Sequence, residues 1–452
     1  MTREGVAPRH PVARVAAYLA KRPWLVYLGL TPLAHPILEI ILFGERALQT
    51  AHDVFDDDVP RLFSIPADWR AFGPSLWDTH LTGGNALLAQ FALPPLAPDV
   101  LLSFVVPPYL AYTLNAALMA FLAGLCMHVF LRGSLRLPTI ACFAGGVLAV
   151  FGFWHYILGY AALMAPLALL WSERAAAADA RRGDAVRLAL LVAFLAISSQ
   201  VQVVAILAAV ALVWTLVTVP SAREAAGGIA RWFRGWIAGA LLAAPVLLTL
   251  FVAVAESQRT IWVIDPLADP IGQWLTDAGA IVFGVPVGAL DRLNPLYGTI
   301  FPGVAGVALL AVSLAIPRPD RRSRAALGLL VGVLLADLVG ILVLPLQADS
   351  SLLRSFQFVR VLHLAPVAVA MNVALALAWL VRGAPGGEGI GDGAGAGVSK
   401  ARPAVAVAGL LAAGVAFLPQ ASTIWRSLNR RLDDGLDLAR LEPATAGWLL
   451  AL

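Results

Sequence analysis

Residues 188–219 read LALLVAFLAISSQVQVVAILAAVALVWTLVTV, an apolar run with one polar interruption at Ser198-Ser199-Gln200-Val201-Gln202. A helix of about 20 residues crosses a hydrocarbon core about 30 Å thick. One long tilted helix would span the run, but its flanks argue otherwise. Arg174, Arg181, Arg182 and Arg187 precede it, and Arg223, Arg231 and Arg234 follow it. Basic residues mark the cytoplasmic ends of membrane segments. Both ends therefore lie on one side, and the chain enters and returns. The polar patch is the natural turn, so the run divides into a short hairpin of helices, 188–198 and 202–219.

The rest of the chain has the same character. Across 452 residues, 60% are hydrophobic and 13% are charged, where a soluble domain carries about one quarter charged residues. So few charges cannot cover a water-facing surface. Membrane helices are expected near 24–43, 101–131, 137–154, 157–171, 188–198, 202–219, 235–255, 299–316, 325–345, 361–381 and 403–419, about ten or eleven crossings in all. The fold class is thus all-α: a polytopic membrane bundle with long outer loops. The net charge of +4 comes from arginines in the short connections, which set orientation, so no nucleic-acid partner is expected. Cys126 and Cys142 fall inside apolar runs and read as buried small residues.

With the N-terminus inside, the cytoplasmic segments hold 21 of the 32 Lys and Arg residues and the outer segments 11, while 18 of the 28 acidic residues lie outside. The expected location is a bacterial inner membrane. Residues 1–23 form a cytoplasmic leader without a signal-cleavage pattern, and 24–419 a transmembrane domain. Its outer loops, 44–99 and 256–298, exceed ordinary connections. An outer C-terminal segment, 420–452, has an apolar ending that suits the start of a further domain. The inner stretch 383–399 is a Gly/Ala-rich linker.

The chemistry-bearing residues sit at the outer ends. The first outer loop opens with His52-Asp53-Val54-Phe55-Asp56-Asp57-Asp58. Crowded carboxylates raise one another's pKa or gather a cation, so Asp53 and Asp56 are candidate proton acceptors, and Asp56 with Asp58 a candidate divalent-cation pair. A solvated acidic patch at a helix end is the plainer reading. Trp77-Asp78-Thr79-His80, followed by Gly83-Gly84, offers Trp77, Asp78 and His80 as a sugar-stacking surface beside a tight turn; an interfacial Trp before a turn is the alternative. Arg354, Gln357 and Arg360 recur every third residue, with His363 next in the series. On a helix they share a face. Arginine on the outer side opposes the charge bias and calls for a phosphate or an outer carboxylate. Gln200 and Gln202 occupy the hairpin tip, and His155 lies between two spans. Glu39 and Asp337 are ionisable within membrane segments, which makes them functional candidates by default. The chain has no phosphate-binding glycine loop, no metal-ligand Cys/His spacing and no Gly-x-Ser-x-Gly.

The acidic start of the first outer loop, the Trp77-Asp78 and Gly83-Gly84 segment, the hairpin tip 198–202 and the 354–360 stretch occur in one order along most of the chain. This ordered set resembles the GT-C superfamily of membrane glycosyltransferases, especially its YfhO-like and related bacterial branches. The hairpin departs from the family pattern by carrying Ser199 where His is usual. The resemblance implies a polyprenyl-phosphate-linked sugar donor, a glycan, lipid or protein acceptor, and an active site facing the periplasm. It implies an inverting transfer with an Asp of the first outer loop as base or metal ligand. Two other classes fit the same helices: a transporter or flippase of lipid-linked saccharides, and an assembly subunit without activity. A transporter would want polar residues at mid-membrane, where few stand beyond Glu39 and Asp337, and would not need the Asp cluster.

Overall fold

The computed structural model describes residues 18–34, 37, 59–72, 77–78, 85–86, 96–152, 160–219, 222–249, 271–272, 274–275, 303–316, 318, 320–347 and 358–382. Within these the protein is helical. The exception is a ladder of two-residue strands, β1 (Trp77–Asp78) and β2 (Asn85–Ala86). In chain order the helices are α1 (Pro23–Leu30), α2 (Val59–Phe72), α3 (Pro98–Leu102), α4 (Pro108–Gly133), α5 (Thr139–Gly152), α6 (Tyr160–Leu163), α7 (Ala165–Ala176), α8 (Arg182–Ser198), α9 (Val201–Thr218), α10 (Ala222–Leu242), α11 (Gly303–Ala315), α12 (Arg321–Gln347) and α13 (Ala365–Arg382). Among the described residues, four helical stretches are long and apolar enough to cross a membrane: Pro108–Gly133, Val201–Thr218, Arg321–Leu342 and Arg360–Val381; α5 is apolar but shorter.

Prolines account for most departures from the expected boundaries. The expected span 101–131 breaks into α3 and α4 at Pro107-Pro108, because a residue before proline is driven out of the α region. The span 24–43 gives way at Pro32, where Thr31–Leu33 tightens into a 3-10 turn. The span 157–171 is split at Met164, just before Pro166, and runs on to Ala176. The expected first outer loop, 44–99, holds α2 and the first two residues of α3. The span 235–255 starts early: α10 begins at Ala222 and takes in Arg223, Arg231 and Arg234. Its basic residues alternate with apolar ones at helical spacing, so charge did not end the helix. The span 403–419 lies outside the described residues.

The hairpin is present. α8 starts on a backbone N–H of Arg181 bonded to the Asp184 carboxylate at 3.0 Å. It ends where Ser199 and Gln200 turn extended. The Arg187 guanidinium at the start of α8 lies 4.8 Å from the Trp171 ring centroid. Trp214 near the end of α9 donates to the adjacent Glu173 at 3.3 Å. Both ends of the run therefore meet the same end of α7, and the arms are antiparallel. They lean apart, α8 packing mainly on α10, and α9 on α7 and α12.

α13 is the hub of the bundle. From Val361 to Ala378 every residue is buried, as expected for a helix apolar all round. It packs on α5, α11 and α12. α12, in contrast, turns Val331, Leu335, Val339 and Leu342 outward, each 44% exposed or more. An apolar exposed stripe along one helix has no purpose in water and matches a lipid-facing side. Small residues let the helices approach closely. A Cβ at Gly146 of α5 would overlap the Tyr27 hydroxyl, so that glycine is what allows α1 to dock.

Candidate functional site

Polar links fix the far end of the bundle, away from Glu173. The Tyr160 hydroxyl at the start of α6 donates to Asn115 Oδ1 in the first third of α4. The Ala161 N–H donates to Ser199 Oγ at 2.9 Å, satisfying a first-turn donor of the helix that would otherwise be orphaned. The hairpin tip is thereby tied beside the N-terminal part of α4. The first-loop segment sits on that same part. α2 packs on α3 and α4, the Arg70 guanidinium donates to the Phe104 carbonyl at 2.6 Å, and Trp69 stacks on Phe104 at 5.4 Å.

A 3-10 segment, Phe358–Leu364, precedes α13 and packs on α12 and α9. The side-chain amide of Asn372 donates to the Ala326 carbonyl near the start of α12 at 2.9 Å. For the 3-10 segment to pack along α12 as well, α13 must run antiparallel to it. Rise per residue then sets the heights. Asp337 stands about 16 Å along α12 from Ala326, His363 about 15 Å and Arg360 about 20 Å from Asn372 along their own path. Asp337 and His363 come to one level, and Arg360 lies about 4 Å beyond them. Asp337 and His363 are buried, and Arg360 is half-buried.

Among the predicted site residues, Gln200, Gln202, Arg360 and His363 are thus carried by elements that pack together, α9 and the 3-10 segment. Gln200 is buried and Gln202 half-buried. Trp77 and Asp78 form β1, pairing antiparallel Trp77 with Ala86 and Asp78 with Asn85, while Gly83 and Gly84 lie outside the described residues. Asp53, Asp56, Asp58, His80, Arg354 and Gln357 lie outside the described residues, as do Glu39 and His155. The expected shared face of Arg354, Gln357 and Arg360 therefore reduces to Arg360, which stands on a 3-10 turn rather than an α-helix. Among the described residues no group of three or more His, Cys, Asp or Glu side chains is placed to hold a metal ion. Cys126 and Cys142 are buried and unbridged.

The arginine-rich end holds polar groups that sequence reasoning passed over. Glu173 of α7 accepts from Arg322 Nε at 2.7 Å, from the Ser134 hydroxyl and from Trp214 Nε1, joining α4, α7, α9 and α12. Arg318 donates to the Ser313 carbonyl at 2.6 Å and to Asn372 Oδ1 at 2.9 Å. Burial lowers the Arg318 pKa from its ordinary value, and neighbouring Asp320 opposes that; an arginine starts so high that the charge persists. Nearer α1, the Tyr27 hydroxyl lies 2.9 Å from His128 Nδ1. The signals were there: Glu173 is the one carboxylate closing the α7 run, and Asn372 and His128 are lone polar residues within apolar stretches.

No family model, curated protein or solved structure matches the chain.

Proposed function

We propose that the protein is an inverting membrane glycosyltransferase of GT-C type with ten or eleven crossings. It takes a sugar from a polyprenyl-phosphate donor and gives it to a glycan, lipid or protein acceptor at the periplasmic face of a bacterial inner membrane. One observation supports this reading above others. The hairpin tip with Gln200 and Gln202, the 3-10 segment with Arg360 and His363, and the first-loop helices α2 and α3 gather toward the end of the bundle opposite Glu173. Irregular backbone at membrane depth is tolerated where it is buried in protein or lines a cavity. Here two such breaks, at 199–200 and at 358–364, carry the polar candidates.

In this mechanism Arg360, with Arg354, holds the donor phosphate through charge-assisted forked hydrogen bonds. Asp53, or Asp56 as second choice, takes the proton of the acceptor hydroxyl. That oxygen bonds to the anomeric carbon from the opposite side while the carbon–oxygen bond to phosphate breaks. The lipid phosphate departs with the electron pair, its charge stabilised by the guanidiniums. The donor is already activated, so no nucleotide is needed. A divalent cation, if the reaction uses one, would sit on Asp56 and Asp58.

The decisive experiment is Asp53→Asn in proteoliposomes supplied with polyprenyl-phosphate sugars. Transfer should fall by about two to four orders of magnitude with donor binding kept. Loss only with Asp56→Asn moves the base to Asp56. Full activity in both single variants and the double variant refutes the mechanism. A cysteine at position 85, labelled by an impermeant reagent from outside only, tests orientation separately. The buried Asp337, level with His363, favours a second reading, a flippase of lipid-linked saccharides. Movement of donor across the bilayer without transfer would select it.

A further inference from the structure

At the arginine-rich end, two guanidiniums stack on one indole. Arg174 lies 4.9 Å and Arg187 4.8 Å from the Trp171 ring centroid. Trp171 is half-buried and both arginines are exposed. Two like charges on one ring repel unless something negative joins them. Among the described residues Asp184 pairs with Arg187 at 3.5 Å and Glu173 is engaged by Arg322, Ser134 and Trp214, so one carboxylate faces two guanidiniums. Arg174 is also fixed against α4, where a Cβ at Gly133 would come within 3.2 Å of its terminal nitrogen.

The same spot borders an apolar surface. On α8, Val186 and Leu190 are 56% and 59% exposed and flank Arg187 on one face. Leu190 is about one turn farther from the end, some 4.5 Å along the axis. A ligand lying here would meet two cations and an amphipathic ring first, then a greasy stripe. That order is the order of a glycerophospholipid. Tryptophan is at home at the membrane–water boundary.

We propose that Arg174, Trp171 and Arg187 form a seat for the phosphate of an anionic glycerophospholipid, its acyl chains lying along Val186 and Leu190. A zwitterionic headgroup would bring its own cation to a site that already has two, so the seat selects net negative lipid. A soluble phosphate would leave the apolar stripe unused. The seat stands whether or not the protein transfers sugar.

The full chain in phosphatidylcholine nanodiscs is titrated with phosphatidylglycerol, and retained lipid is read by native mass spectrometry. Arg174→Gln and Arg187→Gln should each weaken retention about fivefold, and the pair about 25-fold, from a contribution near one guanidinium each. Arg182→Gln, an exposed arginine of the same helix away from Trp171, should change it less than about twofold. Trp171→Leu leaves both charges but no ring to hold them, and should weaken retention about fivefold. The idea falls if the double glutamine variant retains lipid as the wild type does, or if Arg182→Gln costs as much as Arg174→Gln. It falls as well if inorganic phosphate displaces the lipid at equal concentration. Should a glutamine variant fail to fold, Trp171→Leu carries the test alone, and wild-type retention there overturns the seat.

Discussion

At the arginine-rich end, Glu173 takes three donors from three helices, and Arg318 with Asn372 ties α13 to the start of α12. At the opposite end, the chain leaves regular helix at Ser199-Gln200 and again at Phe358–Leu364. Gln200, Arg360 and His363 stand on those breaks. The first arrangement spends polar side chains on joining intact helices. The second places them where helices are interrupted. Within a bilayer an interruption costs hydrogen bonds that water cannot replace, so a bundle keeps one only where something is gained. On the proposed reading the one end is scaffold and the other carries the chemistry, and each variant below tries that division.

Among the variants that test this division, the largest effect belongs to Arg360. Removing a hydrogen-bonded charge at a desolvated site costs about 2–3 kcal/mol, so Arg360→Ala should weaken donor binding on the order of a hundredfold. Arg360→Lys should lose less, since it keeps the charge without the fork. Isothermal or fluorescence titration with a polyprenyl phosphate reads both. The nearness in height of Asp337 and Arg360, within about one helical turn, adds a sharper form. If the two act together, Asp337→Asn combined with Arg360→Ala will lose less than the sum of the single variants. Strict additivity would separate them.

Next comes Glu173. Glu173→Ala strands Arg322 and Trp214, and should lower stability by about 2–3 kcal/mol, below the cost of a fully buried pair because Arg322 keeps some solvent. Thermal unfolding in detergent measures it. Transfer per folded molecule should stay within about twofold; a selective loss of transfer would move chemistry to the wrong end. Gly146→Ala should follow, at about 1–2 kcal/mol, because Tyr27 is fully buried and an added methyl has to displace it.

How far these features were legible follows from their physical signals. The hairpin 188–219 could be read because charge on both flanks and a polar tip are local facts. The membrane class could be read because apolar length is additive along the chain. The break before α4 was missed because Pro107-Pro108 sits inside an unbroken apolar run, and hydropathy does not register a lost N–H. The helical character of 222–234 is hidden in the sequence because arginines mark loops and amphipathic helices alike. Glu173 as a hub was out of reach, since its partners Ser134, Trp214 and Arg322 are far apart in sequence. Arg360 and His363 were legible as candidates, but their height relative to Asp337 needed the Asn372–Ala326 contact.

The smallest effect is the most discriminating. Ser199→Ala removes the acceptor of the Ala161 N–H, and both residues are buried. Polar contacts between membrane helices average only about 0.6 kcal/mol, so unfolding should shift by roughly that much. Ser134→Ala removes a hydroxyl from Glu173, which keeps Arg322 and Trp214, and should shift unfolding by less, under about 0.5 kcal/mol. In stability the two serines are nearly equivalent. They differ in what each holds in place. Ser199 anchors the tip that carries Gln200 and Gln202, whereas Ser134 braces a carboxylate that is already held. Ser199→Ala should therefore raise the donor KM several-fold with kcat little changed, while Ser134→Ala leaves both constants alone. If the two variants give the same KM, the hairpin tip is scaffold as well, and the division between the two ends is wrong.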